Sequence, residues 1–257
     1  MSLLTRLFAA IREELSALMI EPTVIICGAS TLLVVSHYNG STMYFHTLFG
    51  SSVAGHTAMP VLAHEYWFGM SVLLYLVVPL LLSKATNGSF HQKYGLGLGD
   101  WRQGLAISGL FLAIMLPIVW YASTLEAFKN HYPLAGHGSW NLSVEVGYEP
   151  SLPLFLVYEL GYFAYFIAWE FLFRGWMVHG LSPWFGRTGA ILVQVAPFVI
   201  MHFGKAEPET LGSVIAGVAL GVLSVRTRSM WYGAVIHGVI AVWMDCWSVP
   251  KSLFGLG

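Results

Sequence analysis

PLFLVYELGYFAYFIAWEFLFRGWMVHGLS, residues Pro153 to Ser182, is the stretch that decides the fold, because only Glu159, Glu170 and Arg174 carry charge within it. As a helix it reaches about 45 Å, more than the roughly 30 Å of a bilayer's hydrocarbon core. A soluble domain has no use for so long an apolar helix, whereas a membrane requires one.

Similar apolar runs lie on both sides of it, at 22–38, 66–83, 105–122, 187–203, 211–225 and 229–247, which makes about seven transmembrane helices in all. Composition agrees: 56% of the 257 residues are apolar and only 10% are charged. The fold class expected is all-α, a polytopic helical integral membrane protein with the lipid bilayer as solvent and no soluble domain. The chain reads as a single membrane domain over 1–257. Within 1–20, Leu4, Leu7, Phe8, Ile11, Leu15 and Leu18 recur at helical spacing opposite Arg6, Arg12, Glu13 and Glu14, the pattern of an interfacial amphipathic helix. Charges interrupt that stretch, so it does not read as a cleavable signal. A formal net charge of -1 and the lack of any basic run exclude nucleic acid as a partner. Cys27 and Cys246 fall in different runs near opposite faces, an arrangement that suits neither a disulfide nor a cysteine metal site.

Basic residues set the orientation, since their excess marks the cytoplasmic side. With the N-terminus inside, Arg6, Arg12, Lys84, Lys93, Arg102, Arg187, Arg226 and Arg228 face the cytoplasm, and Lys129, Lys205 and Lys251 face outward. The loops 39–64 and 123–151 then lie outside, where Tyr44, Phe45, Phe49 and Trp140 suit a membrane surface.

Chemistry is expected where ionisable groups interrupt apolar helices, because each costs about 2.5 to 3.5 kcal/mol to insert. Glu170 and Arg174, four residues apart, share a helix face and can pair. His202 ends one run and His237 lies within another. At 1.5 Å per residue from the inner end of its run, Glu170 lies roughly 18 Å deep, His202 roughly 22 Å and His237 roughly 12 Å. Three helices thus bring a carboxylate and two imidazoles to similar depth, the materials for activating water and stabilising an oxyanion. Two histidines and a glutamate also make a catalytic zinc set, so zinc is the alternative to a site without any cofactor.

At these residues the sequence resembles the CPBP family, the CAAX prenyl endopeptidases and bacteriocin-processing (Abi) intramembrane proteases. Its pattern is Glu-Glu-x-x-x-Arg, Phe-x-x-x-His and His-x-x-x-Asn/Asp on separate helices. Glu170 and Arg174 match the first motif, Phe198 and His202 the second and His237 the third, and the resemblance spans the catalytic core at 152–247. Trp169 and Ala241 stand where the family has its first Glu and its Asn or Asp. A bacterial subgroup reading Trp-Glu-Phe-Phe-Phe-Arg-Gly, then His-x-Gly-Lys-Pro-x-x-Glu, is similar at His202, Gly204, Lys205, Pro208 and Glu209. The resemblance implies an intramembrane endopeptidase that hydrolyses a membrane-associated protein or peptide without metal. Glu170 would be the general base, Arg174 its orienting group, His202 its helper on the water and His237 the oxyanion donor. Asp245, eight residues after His237 and near its face, is the candidate for the missing polar partner. The implied location is a cell membrane, the bacterial inner membrane, multi-pass. The departures at Trp169 and Ala241 keep a second reading open, a catalytically inactive membrane partner or immunity protein.

Other features read as structural. Gly97-Leu98-Gly99-Asp100 imitates an aspartyl-protease signature but sits in a polar loop, where Asp100 and Gln103 make a helix cap. Glu159 reads as an interfacial carboxylate near the outer surface, and Glu207 and Glu209 as first-turn acids around Pro208.

Overall fold

A computed structural model describes residues 8, 19–52, 58–86, 93–136, 151–249 and 251–255. Apart from Phe8 and its last two residues, the interfacial helix expected over 1–20 lies outside the described residues, as does Trp140. The described elements are helices: α1 (Ile20–Asn39), α2 (Thr42–Phe49), α3 (Met59–Val72), α4 (Val78–Thr86), α5 (Trp101–Ala122), α6 (Glu126–Lys129), α7 (Leu152–Glu170), α8 (Gly180–Ile200), α9 (Glu207–Thr227) and α10 (Trp231–Ser248). π-helical turns at Leu73–Val77 and Phe171–His179 join α3 to α4 and α7 to α8, and a 3-10 turn, Lys251–Phe254, follows α10.

Each boundary has a local cause. The Asp100 carboxylate accepts the Gln103 amide at 3.1 Å, the cap expected from sequence. Ser151 accepts from Leu154 with Pro153 in the first turn of α7, and Pro208 likewise starts α9. The break predicted between 182 and 187 falls at Gly186, whose φ of 66° and ψ of 169° kink α8. Two boundaries differ from the sequence reading. α3 begins at Met59 rather than 66, because Pro60 opens it and His64 Nδ1 bonds the Pro60 carbonyl at 2.7 Å. The expected loop 39–64 contains α2, capped by Ser41 and held down by Phe45 against Tyr66, with ring centroids 5.7 Å apart.

The seven predicted apolar runs fall on helix, bar three residues of turn at 201–203 and two residues, 229–230, before α10. Five continuous helices among the described residues are long and apolar enough to cross a membrane: Ile20–Asn39, Met59–Lys84, Trp101–Ala122, Leu152–Ile200 and Glu207–Thr227. Leu152–Ile200 contains two predicted runs, one on each side of Gly186. α10 is not among the five, yet it is packed on both sides. Trp243 Nε1 donates to the Leu116 carbonyl of α5 at 3.0 Å, and His237 stacks on Phe166 of α7 with centroids 4.3 Å apart. The chain is a multi-pass helical membrane protein.

α7 is the central helix. Tyr162 stacks on Phe68 of α3 at 5.1 Å, and Trp169, Phe171 and Phe173 are buried beyond it. Small residues allow close approach elsewhere: a Cβ at Gly217 would touch the Phe198 ring at 3.2 Å, and one at Gly221 would touch Ile191 at 3.0 Å, so α8 and α9 pack closely. By contrast α5 turns Leu105, Leu110, Ile114 and Ile118 outward, the face of a helix solvated by lipid. The loop ends sort into two sets. At one end Trp231 Nε1 donates to the Leu96 carbonyl and Tyr232 to that of Leu98, both at 2.7 Å. At the other, Tyr132 and Lys205 meet Glu209.

Candidate active site

Four side chains from four helical segments converge between α7, α8 and α10. Glu170 ends α7, Arg174 lies in the π-helical turns that follow, His202 lies just past α8 and His237 is in the second turn of α10. Glu170 and Arg174 are both 0% exposed, and Arg174 Nη1 donates to Glu170 Oε1 at 2.8 Å. That is the predicted i, i+4 pair, formed in the dry interior where breaking one partner would strand the other charge. His237 Nδ1 donates to the same Oε1 at 3.0 Å. The carboxylate is therefore gripped at one oxygen by two N–H groups, while Oε2 meets no donor among the described residues.

The rest of the pocket wall explains why these groups hold their places. A Cβ at Gly233, one turn before His237, would stand 2.5 Å from Glu170 Oε2, so glycine is what admits the carboxylate beside α10. The Arg174 guanidinium lies over the Phe198 ring at 4.2 Å, a cation–π contact that holds its plane. Phe198 also supports His202, whose Nδ1 donates to the Phe198 carbonyl at 2.7 Å and so leaves Nε2 as the acceptor. Thr210 bonds the His202 carbonyl at 2.9 Å and pins the turn to α9. The two imidazoles lie parallel within 6°, centroids 6.3 Å apart. Trp169 stands nearly perpendicular to both rings, at 83° and 89°. Where the family pattern carries a second carboxylate, this chain has an aromatic wall.

At the rim, outside the spans, Lys205 donates to Glu209 at 2.7 Å and Tyr132 donates to Glu209 at 2.8 Å. Burial first, then the Glu209 charge, holds the Tyr132 hydroxyl well above its ordinary range, so it stays a donor. Glu209 thus opens α9 as expected and is tied into the rim.

Two sequence readings change. Asp245, expected to partner His237, is 0% exposed but lies about 12 Å further along α10, facing Tyr158 and Glu159. Glu159, expected at the outer surface, is only 7% exposed, and its neighbours Tyr158 and Phe155 pack against Phe68 and His64 of α3 and the Phe254 turn. Gly233 and Thr210 escaped sequence reasoning. The spacing of Gly233 to His237 was a signal, but its meaning depends on which helix faces it.

The zinc alternative has no matching arrangement: among the described residues no three His, Cys, Asp or Glu side chains converge as metal ligands. The oxygen of Glu170 nearest the histidine already accepts from two nitrogens.

Searches of curated proteins and of solved structures return no match. A family model does match, described as type II CAAX prenyl endopeptidase Rce1-like, over residues 151–243. The matched segment begins at the cap of α7, ends within α10, and contains Glu170, Arg174, His202 and His237. Over this segment the chain is similar to the Rce1-like type II CAAX prenyl endopeptidases, a protease family.

Proposed function

We propose that the protein is an intramembrane endopeptidase that hydrolyses a peptide bond of a membrane-associated protein or peptide without a metal. The observation that carries the reading is the Glu170 carboxylate, fully buried, held at Oε1 by Arg174 and His237 and, among the described residues, free of donors at Oε2. A carboxylate fixed in this way can take a proton from water with little reorganisation. His202, with Nε2 as its acceptor, shares that water. His237, its Nδ1 held by Glu170, donates from Nε2 in its protonated form to the oxyanion that forms at the scissile carbonyl. The family assignment of the segment supports a peptidase, and the apolar wall supports a substrate that arrives through the membrane. The basic residues support an N-terminus on the cytoplasmic side of a cell membrane.

The Nδ1–Oε1 bond favours one specific variant, in which Glu170 orients His237 and the imidazole Nε2 is the base. Purified full-length protein, reconstituted with candidate membrane peptides, tests both. Glu170→Gln, His202→Ala and His237→Ala should each lower cleavage by about 10² to 10⁴ while the variants remain folded. His237→Gln separates the roles: an oxyanion donor is partly replaced by an amide, leaving a loss of about 10² or less, whereas a base is not. Cleavage retained in all of these folded variants would favour the inactive-partner reading.

A further inference from the structure

A cavity lies at the end of the bundle opposite the rim of Lys205 and Glu209. It is an open hollow of about 580 Å³ lined by Gln103, Arg187, Val225, Arg226 and Arg228. Three of five lining residues are therefore arginine, drawn from α8 and α9, with a glutamine from the first turn of α5. None of the three guanidiniums makes an ion pair among the described residues. The carboxylate of Asp100, close by through its amide bond to the Thr227 carbonyl, is turned to the start of α5, where it accepts from Gln103.

Arg187 follows the non-helical Gly186 within α8, and Gln103 sits in the opening turn of α5, whose N-terminus Asp100 caps. Arg228 closes α9 in the left-handed region, with φ of 58° and ψ of 37°, where glycine is the ordinary residue. An arginine accepts that conformation at a cost, and what it gains is a third guanidinium over the same hollow. Exposed Trp101 and Trp184 lie close in sequence to Gln103 and Arg187, and indoles of this kind suit a membrane–water boundary. Below it, exposed Leu192 and Val222 continue the α8 and α9 surfaces into the apolar zone.

We propose that this hollow binds a phosphate group, that of an anionic phospholipid headgroup whose acyl chains lie along α8 and α9. Guanidinium forks match phosphate oxygens in pairs, and the indoles and lower apolar surface suit a lipid.

The test uses full-length protein in neutral detergent, with native mass spectrometry counting retained phosphatidylglycerol and phosphatidylcholine, and inorganic phosphate in a competing arm. The wild type should retain phosphatidylglycerol in preference to phosphatidylcholine. A triple variant, Arg187→Gln, Arg226→Gln and Arg228→Asn, should weaken that retention on the order of 100-fold, about fivefold for each cation. Asparagine at 228 tolerates the left-handed backbone, and lipid-free thermal unfolding verifies that the variant is folded. Arg102→Gln, on the same face but outside the hollow, should change retention less than twofold. If millimolar phosphate displaces the lipid completely and binds the wild type alone, the phosphate chemistry stands and its source is soluble. Equal retention by wild type and folded triple variant, or an equal loss in Arg102→Gln, would overturn the proposal.

Discussion

Glu170 and Glu159 lie eleven residues apart on α7, roughly 16 Å along the axis, and both are buried, yet their surroundings differ completely. Glu170 accepts from a guanidinium and an imidazole. Glu159 faces Asp245, and its two oxygens meet no donor among the described residues. Burial alone therefore does not set Glu170 apart from Glu159. What distinguishes Glu170 is a cation within hydrogen-bond reach, which lets a charge persist in a dry site and fixes its direction.

The contrast can be broken most forcefully at Arg174. Arg174→Met strands the Glu170 charge and should destabilise the protein by about 3 to 5 kcal/mol, seen as a lowered unfolding midpoint in detergent. Combining it with Glu170→Gln should recover a large part of that loss; no recovery would mean that the pair is not coupled. A smaller effect is expected at Gly233, where alanine must displace Glu170 Oε2. It should cost about 1 to 3 kcal/mol and lower cleavage through the same carboxylate. Smallest of all should be Glu159→Gln, which removes no ion pair: stability within about 1 kcal/mol of wild type and cleavage within about twofold. A loss at Glu159 comparable to that at Glu170 would erase the distinction drawn here.

The sequence was legible where physics acts along the chain. Apolar runs gave the helices, Asp100 and Gln103 gave a cap, and the four-residue spacing gave the Glu170–Arg174 pair. It was less legible where one helix covers another. Counting residues from the end of α7 put Glu159 near water, since the count carries no information about the α10 side chain, Asp245, that it faces inside the fold. Asp245 was assigned to the site from its helix face, but distance along the axis separates it from His237. Gly233 looked unremarkable until a carboxylate from another helix was seen against it.

The π-helical stretch from Phe171 to His179 has its own consequence. Wide turns take up a surplus residue that a regular helix would have to pass on, at about 100° of rotation for everything downstream. This slack allows the glutamate-bearing helix and the arginine after it to be set independently of the segment leading to His202. Length between Glu170 and Gly186 is thus a tuned quantity, and a chain one residue shorter there would keep every side chain named above while aiming some of them elsewhere.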